Sequence, residues 1–318
     1  MHPHMRATVQ PSASPLSESL TLRYAALRQS LRELAIESGG IVVAYSGGVD
    51  SALLLAVAAE SVKVLNEERS PFDDIDTTQS RKLHQAQITA LTAISPSYPT
   101  WERTPARELA MSLEVTHLEL ETEELSNPRY RANDGDRCFH CKTALFDVAE
   151  WASASEDYQL RGALVYGAIT DDLGDHRPGM KAASNRGVRA PLIDTGFTKA
   201  DVRALSRYLN LPTWDKPASA CLSSRFPYGV EVTAARLDRV GRCESRLHSL
   251  GLKIVRARFH DDLVRLEFGQ EELDRFYRDP SLRSQITAEC KAVGFKFVSI
   301  DLEGYRSGSA NDALVVIS

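Results

Sequence analysis

The chain has 318 residues, 43% of them hydrophobic, which is enough to bury at least one sizeable core and long enough for two domains. A formal charge of −5 runs against a nucleic-acid-binding surface, since such domains tend to be basic, and the longest purely apolar run, 52–59, is far too short to span a bilayer. Five cysteines in a chain of this length do not make a disulfide scaffold, so the cytoplasm, with reduced thiols free to bind metal, is the expected compartment.

Residues 1–20 are Ser/Pro-rich, lack the apolar centre of a secretory signal and read as a disordered tail. From Leu20 to about Ser38 the apolar spacing is helical. "GGIVVAYS" reads as a strand, entered through Gly39-Gly40, and "SALLLAVAAE" as a helix with little polar surface. Residues 66–86 are charged and aperiodic, an insertion in the first crossover. "QITALTAIS" resumes the sheet, "TPARELAMSLE" is helical and "VTHLELETEEL" supplies another strand. "KTALFDVAEWASA" is a helix, "LRGALVYGAITDD" a strand and loop, and "TKADVRALSRYLNLP" a Thr-capped helix ending before Pro212. This alternation predicts a doubly wound parallel α/β sheet over residues 21–224. From Val230 the rhythm changes: a helix (Thr233 to Leu250), adjacent strands "KIVRARFH" and "LVRLEFG", a helix (Glu271 to Ala292) and a last strand, "FKFVSIDL". Residues 225–318 are therefore expected to form a smaller α+β domain.

"VVAYSGGVDSALLL" carries the strongest chemical signal. Gly47 and Gly48 let the backbone turn tightly after the strand, and the helix behind them offers N–H groups and a positive dipole end to an anion. Ser46 and Ser51 add hydroxyl donors, and Asp50 can either cap the helix or help hold Mg²⁺. There is no G-x-x-x-x-G-K-[ST], so this is not a Walker loop. The S-G-G-V-D-S stretch resembles the PP-loop ATP pyrophosphatases, with their adenine nucleotide alpha hydrolase-like fold, which cleave ATP between the α- and β-phosphates and leave an AMP-activated substrate. The resemblance implies that pyrophosphate sits on Ser46, Gly47, Gly48 and Ser51. It further implies that Thr92, Ala93 and Ile94 lie against adenosine and that Gly167 closes the nucleotide site from the other side.

"DRCFHCK" poses a separate question. A C-x-x-C pair admits zinc, a redox disulfide or an iron–sulfur cluster, yet only Cys221, Cys243 and Cys290 remain as company. His140 stands between Cys138 and Cys141, too close in the chain to join them around one tetrahedral ion. With Cys221, three thiolates would instead ligate three irons of a [4Fe–4S] cube and leave the fourth open to an exogenous hydrosulfide. Cys243 and Cys290 read as ordinary buried residues.

Together with the loop, "NPRYRANDGDRCFHCK", "DDLGDHRPG", "WDKPASACLSSRFPYG" and "FVSIDLEGYRSGSAN" resemble the LarE family. These are ATP-dependent sulfur transferases of the nickel-pincer cofactor pathway of lactate racemase. The resemblance implies adenylylation of the carboxylates of a pyridinium biscarboxylate mononucleotide and their conversion to thiocarboxylates. It also implies a homo-oligomer whose product passes to a nickel-inserting enzyme. In single-cysteine members the residue matching Cys221 gives up its own sulfur; the three-cysteine pattern of Cys138, Cys141 and Cys221 resembles the cluster-dependent members. One departure is Gly167-Ala168-Ile169-Thr170-Asp171-Asp172, where members tend to read G-T-N-x-D-D.

Arg256 and Arg258 alternate on one strand and share a face, either solvated or, with Arg225, a clamp for the substrate's 5′-phosphate. Arg177 can reach ATP phosphates or substrate, or pair with Asp175 or Asp172. Glu244 either faces Cys221 or is a surface helix carboxylate. The rival functions are a tRNA thiolase with the same loop and cluster, an ammonia-dependent amidotransferase of NAD-synthase type, which leaves the cysteines unexplained, and a non-catalytic nucleotide sensor.

Overall fold

The computed structural model describes residues 15–68, 85–158, 160–174, 178–218 and 220–306. Most of the expected tail, the body of the insertion at 69–84 and Arg177 lie outside the described residues. In chain order the helices and strands are α1 (Glu18–Ser38), β1 (Gly40–Ala44), α2 (Val49–Glu68), β2 (Gln87–Ile94), α3 (Arg103–Ser112) and β3 (Thr116–Glu121). There follow α4 (Pro128–Ala132), α5 (Arg137–Ala154), β4 (Ala163–Tyr166), α6 (Pro178–Asn185), α7 (Pro191–Asp194) and α8 (Lys199–Tyr208). The chain continues with α9 (Ala234–Ser249), β5 (Val255–His260), β6 (Leu263–Phe268), α10 (Gln270–Arg278), α11 (Pro280–Ala292) and β7 (Phe297–Ile300). Among the described residues no helix is long and apolar enough to cross a membrane.

The chain divides into two compact units. The first takes the described residues within 1–93, 104–121 and 142–216. Ser17 caps α1 through a hydroxyl that accepts from the Leu20 N–H, and Gly39 ends it in the left-handed region at φ 73°. β1 is buried along its whole length, as a central parallel strand covered on both faces must be. Its side chains alternate: Ile41 and Val43 join a core with Leu31, Leu53 and Val57, while Val42 lines a cavity with Phe146 and Ala149 of α5.

The four-stranded parallel sheet has the order β3-β2-β1-β4, with Ile41 opposite both Ile88 and Ala163. The chain builds outward from β1 to β3 and then returns to the other side of β1 with β4. Between β1 and β4 the connections leave in opposite directions, and such a switch point opens a crevice at the carboxyl ends of the strands. This is the expected doubly wound, PP-loop-like α/β fold, accompanied by a small mixed sheet further along the chain.

The second unit gathers the described residues within 94–103, 122–141 and 217–318. A single cut at 224/225 would divide the chain into two successive stretches, whereas compactness groups three segments here. β5 and β6 form an antiparallel hairpin, and β7 adds to β6 in parallel. Val240, Val255, Leu266 and Phe295 build the core, and Tyr130 joins it from the 122–141 segment. The single helix expected over Glu271–Ala292 is in fact two. Pro280 has no N–H to continue α10, and the Asp279 carboxylate accepts from the Ser281 and Leu282 N–H groups to start α11.

Candidate functional site

Between β1 and α2, residues 45–48 turn the chain at the switch point. Gly47 takes φ 74°, a conformation open to glycine without a Cβ clash. Two serines tie the turn down. The Ser46 N–H and hydroxyl both meet Ser51 Oγ, at 3.2 and 3.1 Å, and the Ser51 hydroxyl donates to the Gly48 carbonyl at 3.1 Å. Ser46 Oγ accepts in turn from the Gly48 N–H at 3.3 Å. The first-turn amides of α2, which by helix geometry have no intrahelical acceptor, are thereby held at the crevice with the positive dipole end behind them.

Gly167 leaves β4 against this turn. A Cβ there would stand 2.8 Å from Ser51 N and 3.0 Å from the Asp50 carbonyl carbon, so only glycine permits the approach. Ala168 and Ile169, at the family's Thr-Asn positions, are buried, and Asp172 Oδ2 accepts from the Ile169 N–H at 3.1 Å. Thr92 is buried too. Its hydroxyl donates to the Tyr45 carbonyl at 2.7 Å, so the 2.8 Å contact with His117 Nε2 is accepted from the ring. Ala93 and Ile94 are half-buried at the strand's tip.

Two ammonium groups that sequence reasoning missed stand at the turn. Lys199 Nζ meets both Asp50 oxygens, at 2.7 and 2.6 Å, and Lys216 Nζ donates to the Gly47 carbonyl at 2.8 Å. The only signal for them was a lysine at a helix start and another inside "WDKPASAC".

Cys138, Cys141 and Cys221 all fall in the second unit. α5 starts at Arg137, earlier than the "KTALF" stretch suggested, so Cys138 and Cys141 sit at i and i+3 on one face of its first two turns. Cys138 is exposed, the other two are half-buried, and none is in a disulfide. Cys221 opens a short 3₁₀ turn, Leu222–Arg225; its carbonyl accepts from the Ser224 N–H at 3.0 Å and from Arg225 Nη1 at 3.1 Å.

Ser223, inside that turn, links it to the other two cysteines' segment. The Tyr130 hydroxyl lies 2.6 Å from Ser223 Oγ, and Arg137 Nη1 donates to the Ser223 carbonyl at 2.9 Å and to Asn133 Oδ1. Burial pushes the Tyr130 phenol up, reinforced by the Cys221 and Cys141 thiols. Burial opposes the charge on Arg137, but the Cys221 and Cys138 thiols, together with the Tyr130 and Tyr228 phenols, outweigh it and hold its pKa above the ordinary value. Tyr130 and Arg137 thus each sense Cys221 and one member of the pair. His140 is engaged elsewhere, with Nε2 3.1 Å from Asp136 Oδ2. Among the described residues no three His, Cys, Asp or Glu side chains form a group that could hold a metal ion.

Arg225, Arg256 and Arg258 are buried in the same unit, so the solvated strand face does not occur. Arg225 pairs bidentately with Glu244 at 2.9 and 2.8 Å, and Arg258 with Glu267 at 2.9 and 2.7 Å. The expectation of a surface carboxylate at Glu244 is overturned: it is fully buried and also accepts from the Ala257 N–H at 2.8 Å. Arg256 differs from its neighbours. It donates to the Val255 and Ala218 carbonyls, lies 4.9 Å over the Tyr305 ring, and has no carboxylate within ion-pair distance among the described residues. Burial, then the Arg225 charge, lowers its pKa. Complete burial pushes the Glu244 carboxyl up, but Arg225 and the hydrogen bonds outweigh this and hold it below the ordinary carboxylate value.

A serine-tied turn at the switch point of a PP-loop-like sheet, together with a second unit carrying cysteines outside any disulfide and buried arginines, defines the class. No family model matches the chain. An uncharacterized protein of Synechocystis is 38% identical over 286 residues, 90% of this chain and 97% of that one. Pyridinium-3,5-bisthiocarboxylic acid mononucleotide synthase of Lactiplantibacillus plantarum is 32% identical over 296 residues, 93% of this chain and 96% of the synthase. An uncharacterized protein of Methanocaldococcus jannaschii is 25% identical over 281 residues, 88% and 96% of the two chains. The chain belongs to the family of the L. plantarum synthase, the LarE family.

Gly167→Ala is expected to cost about 1–3 kcal/mol by forcing backbone apart at α2, read by denaturant unfolding. Glu244→Gln is expected to cost about 3–5 kcal/mol at neutral pH by leaving Arg225 unpaired. Because the folded-state pKa of Glu244 is depressed, its stabilisation is present above the unfolded carboxylate value and lost as pH falls through the lower folded one. The gap between wild type and Glu244→Gln in a pH series of unfolding curves should therefore close only on strong acidification.

Proposed function

We propose that this protein is an ATP-dependent sulfur transferase. It adenylylates the carboxylates of pyridinium-3,5-biscarboxylic acid mononucleotide and converts them to thiocarboxylates, in the synthesis of a nickel-pincer cofactor. The observation that carries the reading is the identity to the L. plantarum synthase across nearly the whole of both chains. The S-G-G-V-D-S turn at the sheet's switch point supports the ATP step.

In this reading the first unit handles ATP. Pyrophosphate is held by Ser46, Gly47, Gly48 and Ser51, with Lys199 and Lys216 balancing its charge. Thr92, Ala93 and Ile94 bound the adenosine, and Gly167 keeps the opposite wall close to the turn. Asp50 is the hard oxygen donor suited to Mg²⁺. A substrate carboxylate oxygen attacks the α-phosphorus and pyrophosphate leaves. Positioning and charge neutralisation then do most of the catalysis, which suits a site without an evident acid–base pair.

The second unit handles substrate and sulfur. Arg225, Arg256 and Arg258 take the mononucleotide's phosphate; Arg256, with no carboxylate partner among the described residues, is the member best placed electrically to pair with it. A sulfur nucleophile attacks the adenylylated carbonyl carbon and AMP leaves. Cys138, Cys141 and Cys221 are soft donors suited to iron and stand outside any disulfide in one unit, where Tyr130 feels Cys221 and Cys141 and Arg137 feels Cys221 and Cys138, which fits a [4Fe–4S] group. Each thiolate of such a cube binds a different iron, so a tight group around one ion is not required. The cluster, when bound, supplies an iron open to hydrosulfide as the sulfur source.

Asp50→Ala is expected to lower pyrophosphate release at least about 100-fold in a coupled assay; retained turnover would remove the turn from the mechanism. Anaerobically purified protein should be brown with about four irons per chain, and Cys138→Ser should lose them. Full sulfur transfer by colourless, iron-free protein would refute the cluster.

A further inference from the structure

We infer that the Arg137 guanidinium is the counter-cation of the sulfur site, a fixed positive charge that compensates anionic sulfur on Cys221 and Cys138. The inference deepens the sulfur-transfer reading and rests on it for what the anion does, although the charge can be measured without any turnover.

Arg137 is only 7% exposed. A guanidinium so deeply buried is costly unless an anion accompanies it. Its hydrogen bonds go to neutral oxygens, the Ser223 carbonyl and Asn133 Oδ1. Among the described residues no carboxylate stands within ion-pair distance of it, whereas the comparably buried Arg225 and Arg258 are each matched by a bidentate glutamate. Thiols bracket it along the chain: Cys138 follows Arg137 on α5, and the turn that its Nη1 meets begins at Cys221. The orientation is also fixed from both sides. Asn133, fully buried in the left-handed cap of α4, is held by a 2.7 Å hydrogen bond to the Pro227 carbonyl, and Ser223 lies two residues beyond Cys221. A cation anchored between these two points and given no carboxylate suits an anion of the reaction: a thiolate, a cluster carrying negative charge, or hydrosulfide. Arg137 is therefore a positioning residue that sets the electrostatic potential at the sulfur.

Competitive alkylation separates charge from architecture. Full-length protein, reduced and stripped of metal by a chelator, is labelled with an equimolar mixture of anionic iodoacetate and neutral iodoacetamide. The ratio of the two adducts on Cys221 is read by mass spectrometry. At low salt the wild-type ratio should exceed that of N-acetylcysteine amide by about threefold or more and fall toward it as salt screens the site. Arg137→Gln, which keeps donors for Ser223 and Asn133 but no charge, should bring the ratio close to the reference, while Arg137→Lys should preserve most of it. Cys243 and Cys290, both fully buried, should stay unlabelled in a folded variant. A wild-type ratio no higher than the reference, or an Arg137→Gln ratio equal to wild type, overturns the proposal. If Arg137→Gln exposes Cys243 and Cys290, the wild-type salt series and Arg137→Lys decide alone. Failure to form thiocarboxylate with the charge ratio intact would count against the sulfur-transfer reading instead.

Discussion

The buried pair of Arg225 and Glu244 holds three elements of the second unit in register. Glu244 projects from α9, accepts from the backbone of β5 at Ala257, and receives both arms of a guanidinium rooted in the Cys221 turn. Arg225 spends its remaining arm on the Ala220 and Cys221 carbonyls, at 2.8 and 3.1 Å. The position of the sulfur-bearing turn is therefore written in charge as well as in apolar packing. Removing either partner would strand the other in a medium that solvates it poorly.

That pair also decides the character of its neighbours. Among the described residues Glu244 and Glu267 satisfy two of four buried arginines, leaving Arg256 with carbonyl oxygens and the Tyr305 ring and Arg137 with the Ser223 carbonyl and Asn133 Oδ1. In the first unit the balance is struck differently: Lys199 sits on Asp50, Lys216 sits on a carbonyl of the turn, and both are close to the amides of α2. On the proposed reading both units hold positive charge for phosphate, the first with ammonium groups and the second with the guanidinium of Arg256.

Several of these features were readable and others were not. The strand–turn–helix around S-G-G-V-D-S was plain, since β-branched residues, paired glycines and an apolar helix all point the same way. Glu244 carried a usable signal that was overlooked: with Leu237, Val240 and Leu247 it falls on the buried stripe of α9. The early start of α5 had no such signal along the chain, because its first residue is anchored by a hydrogen bond from Arg137 to the distant Ser223 carbonyl. Pro280 marked the break between α10 and α11, but the apolar period continued across it and masked the stop. The pairing of Arg258 with Glu267 depends on hairpin register, which places Arg256 opposite Glu267 and Arg258 opposite Arg265.

The sequence by itself determined the α/β rhythm, the glycine-bearing turn and the three thiols as candidates, because local propensity and motif chemistry act over a few residues. Only the tertiary structure decided that 122–141 groups with the described residues of 217–318, which brings Cys138 and Cys141 into the same unit as Cys221. It also decided which cations have carboxylates and which do not. Charge compensation in a buried site is settled by whichever groups meet across long stretches of chain, and no periodicity along the chain encodes that.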